Sequence, residues 1–210
     1  MHYRAQSTGS VLLPKLIGSY ESELWPVFEK VRQGSYDLFV DVGAAEGYYA
    51  VGVSKYIFKN RIATIAFEAT DKGQKQISKL ASLNHVHKIT VKGYCDKTSL
   101  VEVLAEKRAF LVMDVEGGEA ELLNPADNPA LMQCDILVEL HPDQVKGVCQ
   151  LIATRFQQSH NIIHVNIDSK KKLTDQEKLP KWAKRFVPYM LNEFRGNQSW
   201  LFLGVKEVFV

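Results

Sequence analysis

With 210 residues, 46% hydrophobic and 24% charged, the chain has the size and composition of one globular domain with a full core. A formal net charge of +2 supplies no global attraction for nucleic acid or for an anionic membrane. Cys95, Cys134 and Cys149 are dispersed and lack CxxC spacing, which argues against a disulfide framework and against a thiolate zinc site.

Within residues 1–36, Leu16, Tyr20, Leu24 and Phe28 fall four apart and predict an amphipathic helix capping one face of a sheet. From residue 37 onward, apolar segments at 37–43, 62–68, 88–94, 109–115 and 135–141 alternate with helix-length stretches such as 78–83 and 99–106. Near-continuous apolar strands joined by helices predict a parallel sheet covered on both faces, with right-handed crossovers. Segments 162–167 and 199–205 read as two more strands. Between them runs a polar excursion, 168–198, in which Pro180 and Pro188 predict short helices near 181–187 and 189–194.

That excursion carries Lys170, Lys171, Lys172, Lys178, Lys181, Lys184 and Arg185, interleaved with Trp182, Phe186, Tyr189 and Met190. It reads as solvated helices whose aromatic stripe packs on the sheet, in preference to a lid over a substrate. The expectation is therefore a single α/β domain over 1–210, Rossmann-like and seven-stranded. No charged-then-apolar leader opens the chain and no apolar run nears the roughly 20 residues of a membrane span. A cytoplasmic, reducing location is expected, with no membrane partner and no strong nucleic-acid signal.

Two segments carry chemistry. The first is Asp41-Val-Gly43-Ala44-Ala45-Glu46-Gly47-Tyr48-Tyr49, a strand end running into a small-residue turn. A second strand ends in Glu68, 21 residues after Gly47. Glycines let backbone amides approach a ligand, and a downstream acid takes ribose hydroxyls. A dinucleotide fingerprint needs glycines at its first, third and sixth places, and here Ala45 and Tyr48 occupy the third and sixth. The turn suits S-adenosylmethionine (AdoMet), which has no phosphate. Amides of the 43–47 turn and of the helix starting near Tyr48 are then expected to hold its carboxylate. Glu68 takes its ribose, Asp96 its adenine amine, and Asp41 either orders the turn or reaches the ammonium.

The second segment is Asp114-Val-Glu116-Gly-Gly-Glu119, followed one strand later by Glu139-Leu-His141. Neighbouring strands lie roughly 4.8 Å apart, so Asp114, Glu116, Glu139 and His141 are expected to converge. Three acids so close together repel one another, which fold stability does not explain. His141 is the first candidate for general base and Asp114 the alternative, with Glu139 orienting the imidazole. Glu116 and Arg195 are candidate acceptor contacts, Arg195 as a guanidinium beside the last strand. The same acids and histidine would also suit Mg²⁺ or Mn²⁺, but no metal ligand is assigned. Glu119 and Glu121 are read as favouring the first turn of the following helix.

At these two segments, over roughly residues 37–142, the chain resembles the FkbM-type family of AdoMet-dependent class I methyltransferases. The resemblance implies the class I fold, whose last strand is antiparallel, and implies O-methylation, often of sugar or natural-product hydroxyls, without carrying over the acceptor. A small-molecule hydroxyl is the expectation, with a nucleobase or protein side chain, or a non-catalytic AdoMet-binding module, as the alternatives. Glu46 stands where that family commonly has an uncharged residue.

Overall fold

In the computed structural model the described residues are 1–3, 7–8, 10–166, 177, 180–193 and 196–206. Seven strands form one sheet: β1 Leu38–Val42, β2 Ala63–Phe67, β3 Ile89–Lys92, β4 Ala109–Met113, β5 Asp135–Leu140, β6 His160–Val165 and β7 Ser199–Val205. Their order is β3-β2-β1-β4-β5-β7-β6, parallel throughout β1 to β5, with β7 antiparallel to both β5 and β6. The expected seven strands are all present.

β1, β4 and β5 are buried along their whole length, as expected for central strands covered on both faces. Alternation along β1 sends Leu38, Val40 and Val42 to one core layer and Phe39 to the other. The first layer is closed by α5 (Lys97–Leu104) and α7 (Val148–Phe156), through Leu100, Leu104, Ile152 and Phe156. The second is closed by α2 (Trp25–Gln33) and α3 (Tyr48–Tyr56), through Val27, Val31 and Val53. Phe39 stacks on Phe110 there, with centroids 5.7 Å apart. Burying each such side chain stabilises by roughly 1.5–3 kcal/mol. The next helix, α4 (Asp71–Leu83), packs on α3 and starts at Thr70, whose Oγ1 accepts from the Gly73 N–H at 3.1 Å.

β1 and β4 are adjacent, and the chain winds outward from them in both directions. Their register pairs Val42 with Met113, so the segments that follow, beginning at Gly43 and Asp114, leave the sheet side by side. This is where an open parallel sheet places a ligand.

Two expectations change. The N-terminal stretch is not one helix: α1 (Leu12–Ile17) ends at Gly18, which is left-handed at φ 74°, before a 3₁₀ turn and α2. Leu16 consequently leaves the apolar face and is exposed, whereas Leu24 is fully buried. In the excursion, α8 (Lys181–Lys184) and α9 (Val187–Leu191) form, but the aromatic stripe does not cover the sheet. Trp182 and Tyr189 are about 70% exposed, Phe186 is exposed as well, and the buried apolar side chain is Val187. Two or three turns of helix have too little apolar face to bury such rings. Arg195, Lys170, Lys171, Lys172 and Lys178 lie outside the described residues. No helix among the described residues is long and apolar enough to cross a membrane.

Candidate active site

The turn after β1 is held by its own backbone. Gly43 and Ala44 N–H groups both donate to Phe67 O, and Gly47 N–H donates to Ala44 O. Gly43 (φ 84°) must be glycine on two counts, since a Cβ there would lie 1.7 Å from the Asp114 carbonyl oxygen. Ala45 is itself left-handed, at φ 49°. Glu68 holds that residue in place: its Oε2 accepts from Ala45 N–H at 3.0 Å, and its Oε1 from Thr70 N–H and Oγ1. Asp41 is 2% exposed and accepts from Ala50 N–H, in the first turn of α3, so it caps the helix that the turn leads into. Burial, then the neighbouring Asp114, Glu68 and Glu46 charges, push its carboxyl up to about 8 against that hydrogen bond.

Asp96 stands apart from the role expected of it. It is exposed, with its carboxylate accepting from Ser99 N–H at 2.8 Å in a capping box that starts α5, and it is absent from the cavity wall. Asp-x-x-Ser before an apolar run is a helix-start pattern, and local capping accounts for it.

Asp114, Glu116, Glu139 and His141 do converge. His141 Nε2 lies 3.6 Å from Asp114 Oδ1, 3.4 Å from Glu116 Oε2 and 3.8 Å from Glu139 Oε2. The orienting acid is Glu119 in place of Glu139. Glu119 opens α6 (Glu119–Leu122), is fully buried, and its Oε1 sits 2.5 Å from His141 Nδ1 while also accepting Gly117 N–H. Its helix-dipole role therefore yields to a specific pairing, whereas Glu121 remains exposed beside Lys97. Burial alone would lower the His141 pKa, but the Glu119 hydrogen bond and the Asp114, Glu119 and Glu116 charges outweigh it and raise it. Burial likewise raises Glu119, yet its hydrogen bonds to His141 and Gly117 leave it lowered. Glu139 is pushed up to about 11, first by burial and then by Asp114, with which it shares a hydrogen bond. Burial also raises Asp114.

Sequence reasoning missed a second buried pairing. Glu46 and Lys15 form an ion pair with both side chains 4% exposed, and Tyr3 and Ser7 hydroxyls and Thr8 N–H also donate to Glu46. The N-terminal segment is thereby tied across the 43–47 turn. Burial would raise Glu46, but the Lys15 charge and these donors hold it below its ordinary value. A depressed carboxyl contributes stability above its unfolded pKa near 4.5 and loses it as pH falls through the folded value. Lys15→Ala leaves a buried unpaired charge and is expected to destabilise by about 3–5 kcal/mol at pH 7. Thermal melts should show that deficit shrink below pH 4.5; a deficit that is constant with pH contradicts the pairing.

The 43–47 turn and the acid cluster open into one cavity of about 330 Å³, lined among others by Asp41, Gly43, Glu68, Asp114, Glu139 and His141. That volume falls at the lower end of small-ligand sites. Ala44, Ala45, Tyr48 and Glu116 also line it, and Thr8, Ser10 and Lys15 supply a wall from the N-terminal segment. Gly47 is not part of the lining; a Cβ there would come within 3.2 Å of Ile77 Cα.

No family model and no curated protein matches the chain. Solved structures do. The rRNA methylase of Streptococcus thermophilus superposes with a TM-score of 0.58 at 8% identity, over 89% of this chain and 98% of that one. Precorrin-6y C5,15-methyltransferase of Geobacter metallireducens gives 0.55 at 13%, over 86% and 87%. The ribosomal protein L11 methylase of Lactobacillus delbrueckii subsp. bulgaricus gives 0.53 at 14%, over 88% and 78%. At such identities the likeness lies in the fold, and the fold of this chain is that of the class I methyltransferases.

Proposed function

We propose that this chain is an AdoMet-dependent methyltransferase acting on a hydroxyl of a small molecule, in the manner of the FkbM-type family it resembles. The observation that carries the reading is the shared cavity: residues suited to a donor and residues suited to proton removal face the same space. Its described wall also has a sign. Glu46, Glu68, Asp114, Glu116 and Glu193 line it together with Lys15 and His141, so carboxylates outnumber cations, a lining that favours a cationic sulfonium over phosphates.

The residues present fit the donor. The amides of Gly43, Ala44, Ala45 and Gly47 are already bonded within the chain, so the start of α3 would hold its carboxylate, and Asp41 its ammonium. Glu68 has about four acceptor sites and three are occupied by Ala45 and Thr70, leaving capacity for a ribose hydroxyl. When bound, AdoMet supplies an activated methyl group. The chain's own contribution is position and proton removal. His141 or Asp114 takes the acceptor proton at the strand ends, with Glu119 holding the imidazole and Glu139 beside both.

Calorimetry with S-adenosylhomocysteine tests the reading directly; no heat of binding at high micromolar ligand would end it. Glu68→Ala removes charged hydrogen bonds of about 1.5–3 kcal/mol, so affinity should fall roughly 10- to 150-fold. Unchanged affinity would remove Glu68 from the donor site.

A further inference from the structure

We propose that Asp114, Glu139 and His141 bind one divalent first-row metal ion, with Glu119 behind His141 fixing the imidazole for ligation. One ligand atom from each of these three residues lies within 4.8 Å of the others. Around His141 Nε2 the carboxylate oxygens stand at 3.4, 3.6 and 3.8 Å, and no hydrogen bond reaches this nitrogen among the described residues. The separations from Nε2 to the two ligand carboxylates, 3.6 Å to Asp114 and 3.8 Å to Glu139, match edges of a tetrahedron whose centre lies about 2.2–2.3 Å from its corners, close to the nitrogen and carboxylate bond lengths of such ions.

The imidazole is the observation that separates this cluster from a chance gathering of acids. His141 is 4% exposed, and its Nδ1 is committed to Glu119, so Nε2 is aimed into the carboxylates with nothing bonded to it. Opposite it, Asp114 Oδ1 is a buried atom that also lacks a hydrogen bond. A carboxylate behind a histidine, fixing its tautomer and raising its basicity, is the usual outer support of a metal-bound imidazole. Glu119 is in that position and has no exposure to solvent. The ligands come from the ends of β4 and β5, whose register is fixed from Phe110 with Asp135 to Met113 with Val138, so the site is carried by rigid elements.

A set of one nitrogen and two carboxylates suits Mn²⁺ or Zn²⁺ better than Mg²⁺, whose sites are made of oxygen. The site opens to the cavity, leaving a position for an acceptor oxygen. There the ion would acidify the hydroxyl, and Glu116, outside the ligand set and 3.4 Å from Nε2, would take the proton in place of His141 or Asp114. That last role rests on the methyltransferase reading; the binding of the ion does not.

The experiment is titration of chelator-stripped full-length protein with MnCl₂, followed by electron paramagnetic resonance in the absence of AdoMet. One ion should bind per chain, and pulsed spectra of the wild type should carry nitrogen modulation from His141. Asp114→Asn and Glu139→Gln should each weaken binding at least about tenfold, and Glu119→Gln about 10- to 100-fold. No binding at millimolar ion, no nitrogen coupling, or binding that Asp114→Asn and Glu139→Gln leave unchanged would each overturn the proposal. The wild-type measurements decide it even where a variant fails to fold. Donor binding, measured on stripped protein with S-adenosylhomocysteine, stands or falls separately.

Discussion

Replacing His141 by asparagine is expected to lower methyl-transfer turnover by roughly 10²- to 10⁴-fold, the range for loss of a group that moves a proton in the transition state. That corresponds to about 2.7–5.5 kcal/mol of barrier. Asparagine is the informative substitution. Its amide can still donate to Glu119, where Nδ1 does now at 2.5 Å, so the fully buried carboxylate keeps a partner. What disappears is Nε2, the atom facing Asp114, Glu116 and Glu139. On the methyltransferase reading, affinity for S-adenosylhomocysteine should stay near the wild-type value, because His141 is assigned to the acceptor proton and not to the donor. Alanine instead strands Glu119 and mixes a folding defect into the kinetics. Single-turnover rates with calorimetry on the same preparation separate the two. Turnover that survives in His141→Asn would remove this histidine from the reaction.

Gly43→Ala is expected to be the most damaging glycine-to-alanine change among the described glycines. Its Cβ would meet backbone, the Asp114 carbonyl at 1.7 Å, at a residue already in the left-handed region at φ 84°. Neither partner can yield, because Asp114 N–H donates to Val42 O at 2.9 Å and β1 and β4 are paired up to Met113. The expected cost is at least about 3 kcal/mol, from backbone strain plus overlap, which lowers Tm by roughly 6–12 °C in a domain of this size. On the methyltransferase reading, donor binding should be lost with it, since the same displacement moves the turn that leads into α3. Gly52→Ala is the matched control. It lies inside α3, where the nearest atom to an added Cβ is Met1 Sδ at 3.9 Å, and should stabilise by about 0.5–1 kcal/mol. Melting curves of both variants check the contrast; equal effects would refute the close approach at Gly43.

Sequence by itself determined the strands, their parallel arrangement, the small-residue turn after β1 and the acid that closes β2 at residue 68. Each of these is local: a run of apolar residues, a glycine in a turn, an acid closing a strand. The same locality explains the capping box at Asp96 and Ser99, where a short-range rule accounts for a residue that a cofactor reading had claimed. Convergence of Asp114, Glu116, Glu139 and His141 was also legible, because two neighbouring strand ends are forced together by the sheet.

Only the tertiary structure decided which side chains pair. Glu119 reaches His141 across 22 positions, and Lys15 reaches Glu46 across 31, with no periodicity linking either pair. The break at Gly18 was equally hidden, since four-residue spacing persists through Leu16, Tyr20, Leu24 and Phe28 although the backbone reverses its hand at φ 74°. The physical reason is common to all three. Backbone periodicity is set by neighbours along the chain, whereas a buried charge takes whatever counter-charge the packed fold brings within reach, and burial makes that choice binding.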